Sequence, residues 1–291
     1  MKLRVFILIL ILILSGCKIK ITLPESKISQ KYWFCPNFRS IDYFDLFRKT
    51  NEWKRAREKI HVFKFYQQQF TEMRLYLSAK NELYDFVNLL KREGKEVAVE
   101  TGAIKEYSCR RPLIEATNDL LTKINPDYIA IDSSFLATRR DCSLDFSVGG
   151  DLINEYIDYV KARGVKVGLI EPYPYFDVQE LKRFAELTKI DFFHVDLDFN
   201  AVRDIRKTKK DMEELSEFLR KRGIKFGIIY TGSPLSVDDR TFIISLFNYW
   251  DYGIQYTADE IIFQSWHRDL PRNLPENENY TFTNALTKLI R

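Results

Sequence analysis

The chain is short of glycine and proline, 11 and 9 among 291 residues, and has no heptad or Gly-X-Y period. That excludes collagen, coiled coil and low-complexity sequence. It has three histidines and four cysteines with no Cys-x-x-Cys, so it carries little zinc-finger potential. No excess of one charge sign exists: 45 Lys+Arg stand against 41 Asp+Glu, a net +4, which gives no footprint for nucleic acid. Only one long apolar run occurs, which excludes a polytopic membrane protein. No Gly-x-Gly-x-x-Gly follows an early strand-like run, and no Gly-x-x-x-x-Gly-Lys-Ser/Thr is present. What is abundant is core material. The chain is 45% hydrophobic, with 22 Phe, 16 Tyr and 4 Trp, enough for one large domain or two small ones and too much for disorder.

The one apolar run, residues 5–14, follows Lys2 and Arg4 and is too short to span a bilayer. It leads into Leu14-Ser15-Gly16-Cys17, which resembles the lipobox of bacterial lipoproteins. That resemblance implies a signal peptide over 1–16, removed before Cys17, and lipidation of Cys17. It implies a cell-envelope location, on the outer membrane if the source has one, because Lys18 stands where an inner-membrane retention Asp would be. Several acyl chains hold a protein firmly where a single one holds it marginally. A plain secretory leader or an uncleaved anchor is the simpler alternative. Residues 17–30 are polar, with Pro24 and serines, and read as a tether. Cys35, Cys109 and Cys142 remain. An odd number allows at most one disulfide, and the pairing of Cys109 with Cys142 stays open.

From residue 31 to 291 a single domain is expected. Eight β-branched or aromatic runs alternate with helical stretches: 32–35, 60–66, 96–100, 128–132, 166–171, 192–196, 225–230 and 260–266. Amphipathic helices are predicted over 81–93, 152–163, 178–188 and 210–222. Gly94, Gly164 and Gly223 each stop a helix and lead directly into a strand, a punctuation at the spacing of βα units. Eight such units in about 250 residues predict an α/β fold of the (β/α)8 TIM-barrel type. A doubly wound open sheet is the alternative.

Chemistry in such a barrel sits at the C-terminal strand ends. Those ends carry Glu100, Asp132, Glu171 and Asp196, on strands three to six. Carboxylates gathered at one rim raise one another's pKa, which can make an acid and a base from like groups. These four are the candidate catalytic residues, with Glu171 as the favoured first member of a pair and Asp132 or Glu100 as the second. Paired carboxyls about 5 Å apart retain, and about 6.5–9.5 Å apart invert, the anomeric configuration of a cleaved sugar. Tyr66, Tyr173, Tyr230, Gln264 and Trp266 sit at predicted rim positions and are the candidate substrate contacts, since sugar faces stack on rings and hydroxyls bond to amides. Capping of loop amides is the structural alternative for any single carboxylate.

Trp53, the run 60–66, Glu100-Thr101-Gly102, Glu171-Pro172, Gln264-Ser265-Trp266, Leu274-Pro275-Glu276 and Tyr280-Thr281-Phe282-Thr283 together resemble a poorly characterised group of bacterial exported TIM-barrel proteins, similar in fold to glycoside hydrolases. The resemblance implies a sugar-processing barrel and a carbohydrate partner. Two departures count against a closer match. The large retaining-glycosidase clan ends strands four and seven in Glu, where this chain has Asp132 and Tyr230. Chitinase-like barrels carry Asp-x-Asp-x-Glu at strand four, unlike Asp132-Ser133-Ser134.

The expected activity is therefore glycoside hydrolysis of cell-surface or extracellular polysaccharide by paired carboxylates, with no cofactor and no metal. Two alternatives stand beside it. One is a non-catalytic, surface-displayed glycan-binding barrel, favoured by the missing strand-seven carboxylate. The other is a metal-dependent sugar isomerase or lyase using Glu171, His194 and Asp196.

Overall fold

The computed structural model describes residues 30–71, 79–102 and 114–290. Cys17, the leader and all of the tether except Gln30 lie outside the described residues, as does Cys109. Eight parallel strands close into a barrel in chain order: β1 Lys31–Cys35, β2 Val62–Tyr66, β3 Glu96–Thr101, β4 Tyr128–Asp132, β5 Lys166–Tyr173, β6 Phe192–Leu197, β7 Lys225–Tyr230 and β8 Glu260–Gln264. The helices are α1 Asp45–Arg48, α2 Lys54–Lys59, α3 Gln68–Thr71, α4 Lys80–Arg92, α5 Ile114–Lys123, α6 Ser134–Arg140, α7 Phe146–Lys161, α8 Val178–Leu187, α9 Ile205–Arg220, α10 Asp239–Asp251 and α11 Phe282–Leu289. The expected (β/α)8 barrel is the observed fold, and the open sheet is excluded by the β1–β8 pairing, where Trp33 stands beside Ile262.

Each strand alternates between two environments, and this parity governs everything at the rim. One set of residues fills the barrel: Trp33, Val62, Ala98, Tyr128, Ala130, Ile170, Phe192, Ile229 and Ile262 pack as one interior cluster. The other set, including Phe63, Val99, Ile131, Leu169, Val195 and Ile228, packs outward against the helices. Small and large side chains are matched inside. A Cβ on Gly168 would collide with the Phe192 ring, and one on Gly227 with the His194 ring. Glycine is needed there for volume.

Glycine is needed for conformation at the helix ends. Gly94, Gly164 and Gly223 have φ of 73°, 78° and 73°, as their predicted stop role requires. The predicted helices are recovered, although α7 and α9 begin about five residues earlier than expected. Their starts are set by Asp145 and Asp204, whose side chains accept from first-turn amides.

The N-terminal barrel end carries a repeated clamp. The residue just before β4, β6 and β8 is an Asp whose side chain accepts from an amide of the preceding strand: Asp127 from Val97 (2.8 Å), Asp191 from Val167 (2.8 Å) and Asp259 from Phe226 (3.2 Å). Before β2 the same place is taken by His61, whose Nδ1 accepts from the Tyr32 amide at 3.1 Å. Strands are thus locked in register in pairs at this end, while the other end is left to the loops.

The segment after β8 straps the barrel. Asp42 accepts from the amides of Asn273 and Leu274, and Glu276 accepts from Ala56 N at 2.8 Å at the start of α2. The Leu274-Pro275-Glu276 motif therefore ties the C-terminal segment to the first βα unit.

Candidate functional site

The C-terminal ends of β2, β3, β4, β6 and β8 surround a cleft of about 530 Å³, lined by Tyr66, Glu100, Asp132, Ser133, Asp196, Gln264 and Trp266 over a floor of Ile170 and Ile229. Three of the four candidate carboxylates meet here. Asp132 lies one turn of the pleat above Ala130 and Asp196 two residues above His194, so both have the interior parity. Glu100 has the same parity on β3, opposite Tyr66.

Glu171 does not join them. Its parity on β5 is that of Leu169 and Tyr173, so its side chain is buried outside the barrel. There its carboxylate accepts from the amides of Phe135 (2.7 Å) and Leu136 (3.3 Å) in the first turn of α6. An anionic group at a helix start satisfies amides that have no intrahelical acceptor. The residue favoured from the sequence is a helix anchor in the structure, because a strand end presents alternate residues to opposite faces and Glu171 falls on the outer one.

The chemistry at the mouth is organised by a residue that the strand-end argument passed over. Lys64, in the middle of β2, is wholly buried and donates to Glu100 Oε2 at 2.6 Å. It also donates to the Gln264 side-chain oxygen, while Gln264 Nε2 donates to the same Glu100 oxygen at 3.0 Å. Burial pushes the Lys64 ammonium down, but the acidic groups around it, Glu100 foremost and then Cys35 and Asp132, together outweigh this and its pKa is raised. Lys64 is thus a fixed cation. The available signal was a lysine inside an aromatic strand, Val62-Phe63-Lys64-Phe65-Tyr66, two residues from a rim tyrosine and on the same face.

One lysine cannot neutralise three carboxylates. Burial raises the Glu100 pKa, with Lys64 opposing and Asp132 adding to the rise. Asp196 is shifted furthest, from 3.8 to about 8, by burial first and then by the charges of Asp132, Glu100 and Asp198, against a small opposing effect of Lys64. Asp196 therefore holds its proton at neutral pH. Beside it, Asp132 accepts from the Ser133 hydroxyl at 2.8 Å. Ser133 has a left-handed backbone, φ 51°, uncommon for a residue with a Cβ and frequent where a rim must hold a special shape. Cys35 is a free, buried thiol under the same cluster, pushed up to about 12 by burial, and so is inert as a nucleophile.

The aromatic candidates divide in the same way. Tyr66 lines the cleft, packs on Phe38 at 4.7 Å and donates to the Ser265 carbonyl at 3.2 Å. Trp266 is 41% exposed and lines it from the β8 side. Tyr173 has the outward parity of Glu171, and its hydroxyl is tied to Asp211 at 2.7 Å. Tyr230 is buried outside the barrel, where its hydroxyl meets Gln255 Oε1 at 3.1 Å. It does not line this cleft.

The metal alternative needed Glu171, His194 and Asp196 to converge. Glu171 faces the helices, and His194 lies one layer below the rim with Nε2 2.8 Å from Glu260. Among the described residues no group of three or more His, Cys, Asp or Glu side chains is placed to hold a metal ion. Cys142 is disulfide-bonded, with its partner outside the described residues.

No protein-family model matches the chain, and no curated protein matches it. Solved structures do resemble it. XacCel5A aligns over 91% of this chain and 99% of its own, with TM-score 0.52 at 10% identity. The GH18 chitinase ChiB of Flavobacterium johnsoniae aligns over 91% and 94%, with TM-score 0.49 at 12% identity. The N-(5'-phosphoribosyl)anthranilate isomerase of Pyrococcus furiosus aligns over 90% and 98%, with TM-score 0.49 at 9% identity. At 9–12% identity these are likenesses of fold alone. What it shares with them is the barrel.

Proposed function

We propose that the mouth hydrolyses glycosidic bonds of extracellular or cell-surface polysaccharide. The observation that carries this reading is Asp196, protonated up to about pH 8 beside Asp132 at one rim. Asp196 gives its proton to the glycosidic oxygen as the bond to the anomeric carbon breaks. Water adds to that carbon and gives up a proton to the Asp132 carboxylate. Each turnover then returns a proton from Asp132 to Asp196 through solvent, and no redox partner is needed. Glu100 and Gln264, held from below by the buried Lys64, present polar edges to sugar hydroxyls, and Trp266 offers a ring for a sugar face. We further propose export and lipid anchoring at Cys17, which would display the barrel on the cell envelope.

The test is turnover of a broad glycan panel by the full-length protein, with Asp196→Asn and Asp132→Asn beside it. Loss by at least about 10³-fold in folded variants is expected. Absence of turnover together with glycan binding that survives both substitutions would overturn the hydrolase reading and leave a binding barrel. Mass spectrometry of the membrane fraction tests the anchor: diacylglycerol on Cys17 is expected, and an unmodified amino terminus at another residue refutes it.

A further inference from the structure

A second cleft of about 470 Å³ opens between the loops after β5, β6 and β7. It is not separate from the first: Asp196 and Trp266 line both. Its walls are mainly apolar, with Pro172, Pro174, Tyr175, Phe199 and Tyr249 on them. Phe199 and Tyr249 are stacked at 4.5 Å with 6° between their planes, which makes a rigid double ring. Polar groups are few and held in place. Asn200 accepts from the Tyr249 hydroxyl and the Ser233 hydroxyl, each at 3.0 Å, and Asp198 accepts from the Asn200 amide at 3.0 Å. Tyr175, 53% exposed, stands edge-on to Phe176 at 5.0 Å, so a large ring at the cleft wall is open to solvent.

We infer that this second cleft is a glycan subsite continuous with the first, so that one oligosaccharide chain lies across Asp196. The physical reason is where the proton must go. A general acid has to touch the oxygen joining two sugars, and that oxygen has a sugar on each side. Asp196 stands at the junction of the two clefts, which places the bond there and one sugar unit or more in each. Rigid rings with sparse, preordered polar groups suit sugars, which present apolar faces and polar edges. The position of the bond rests on the acid role proposed for Asp196; the occupancy of the cleft does not, and binding reads it directly. The room on both sides of Asp196, about 530 and 470 Å³, extends the inference to a chain longer than a disaccharide, cut internally.

The experiment measures binding of cello-, manno- and chito-oligosaccharides of two to six sugars to full-length Asp196→Asn protein, by calorimetry and Trp fluorescence, and turnover of the same series by the unmodified protein. In at least one series, affinity is expected to rise from two to six sugars, and Tyr175→Ala is expected to weaken the hexasaccharide by about ten-fold and the disaccharide by less. Affinity flat beyond two sugars, an equal effect of Tyr175→Ala at both lengths, or no binding in any series overturns the inference. If turnover occurs but releases single sugars from one end at a length-independent rate, the hydrolase reading stands and the continuous site falls. If length-dependent binding is seen without turnover, the site stands and the hydrolase reading falls.

Discussion

Replacing Asp196 by asparagine should remove catalysis and make the protein more stable, and the second effect has a magnitude set by the site. An aspartate whose pKa rises from 3.8 to about 8 on folding binds its proton more tightly in the native state. Well below pH 3.8 both states are protonated and nothing is lost. Between pH 4 and 8 the native state holds a proton that the unfolded chain has released, so stability falls as pH rises. At about 1.36 kcal/mol per unit, the penalty is about 2 kcal/mol at pH 5, about 4 at pH 7 and about 6 at pH 9. These are ceilings, because Asp196 is partly open to solvent at the mouth and the cluster can relax. Asparagine has nearly the shape of the protonated acid and no titration, so Asp196→Asn should escape the penalty. Urea unfolding at pH 5, 7 and 9 should show the variant above the parent by a margin that widens with pH, and thermal unfolding at pH 7 should show a melting difference of roughly 8 °C. A margin that is absent, or constant across that range, would refute both the raised pKa and the acid role built on it. In the parent, activity should fall as pH rises through about 8, the acid then being ionised.

Other outcomes follow from the remaining contacts. Lys64→Met leaves Glu100 buried without its cation and should cost about 3–5 kcal/mol in denaturant unfolding. If the protein folds, the basic limb of its pH–rate profile should move upward, since Lys64 is the group that lowers Asp196; a downward move would contradict the arrangement. Glu171→Ala should destabilise by about 1–3 kcal/mol through loss of two helix-start acceptors, and Glu171→Gln should retain most activity where it folds; loss of turnover in a folded Glu171→Gln protein, measured by thermal melt and kcat, would return Glu171 to the site. Tyr230→Phe should lose about 1 kcal/mol of stability with the Gln255 contact and leave glycan affinity as it was, which calorimetry would check.

What the sequence by itself determined was the sequence of elements and hence the barrel. Apolar runs, amphipathic helices and the glycines at 94, 164 and 223 are local signals, since each depends on residues within a few positions of one another. The eight strands lie where those runs predicted, and eight successive βα units have a well-defined way to bury their hydrophobic faces. The rim was legible as a list of polar residues but not as an arrangement. Asp132 and Glu171 both end strands, and only the closed sheet decides that Asp132 faces the cleft while Glu171 faces α6. A shift of one residue in where a strand ends exchanges inside for outside. Tyr66 and Tyr230 separate for the same reason.

The electrostatics belong wholly to the tertiary structure. Lys64 meets Glu100 across 36 positions and Gln264 across 200, and the charges that raise Asp196 come from β3, β4 and its own loop. No local pattern encodes such pairings, because they arise only when the barrel closes and takes the groups out of water together. The composition supplied the carboxylates, but barrel closure decided which of them keeps a proton.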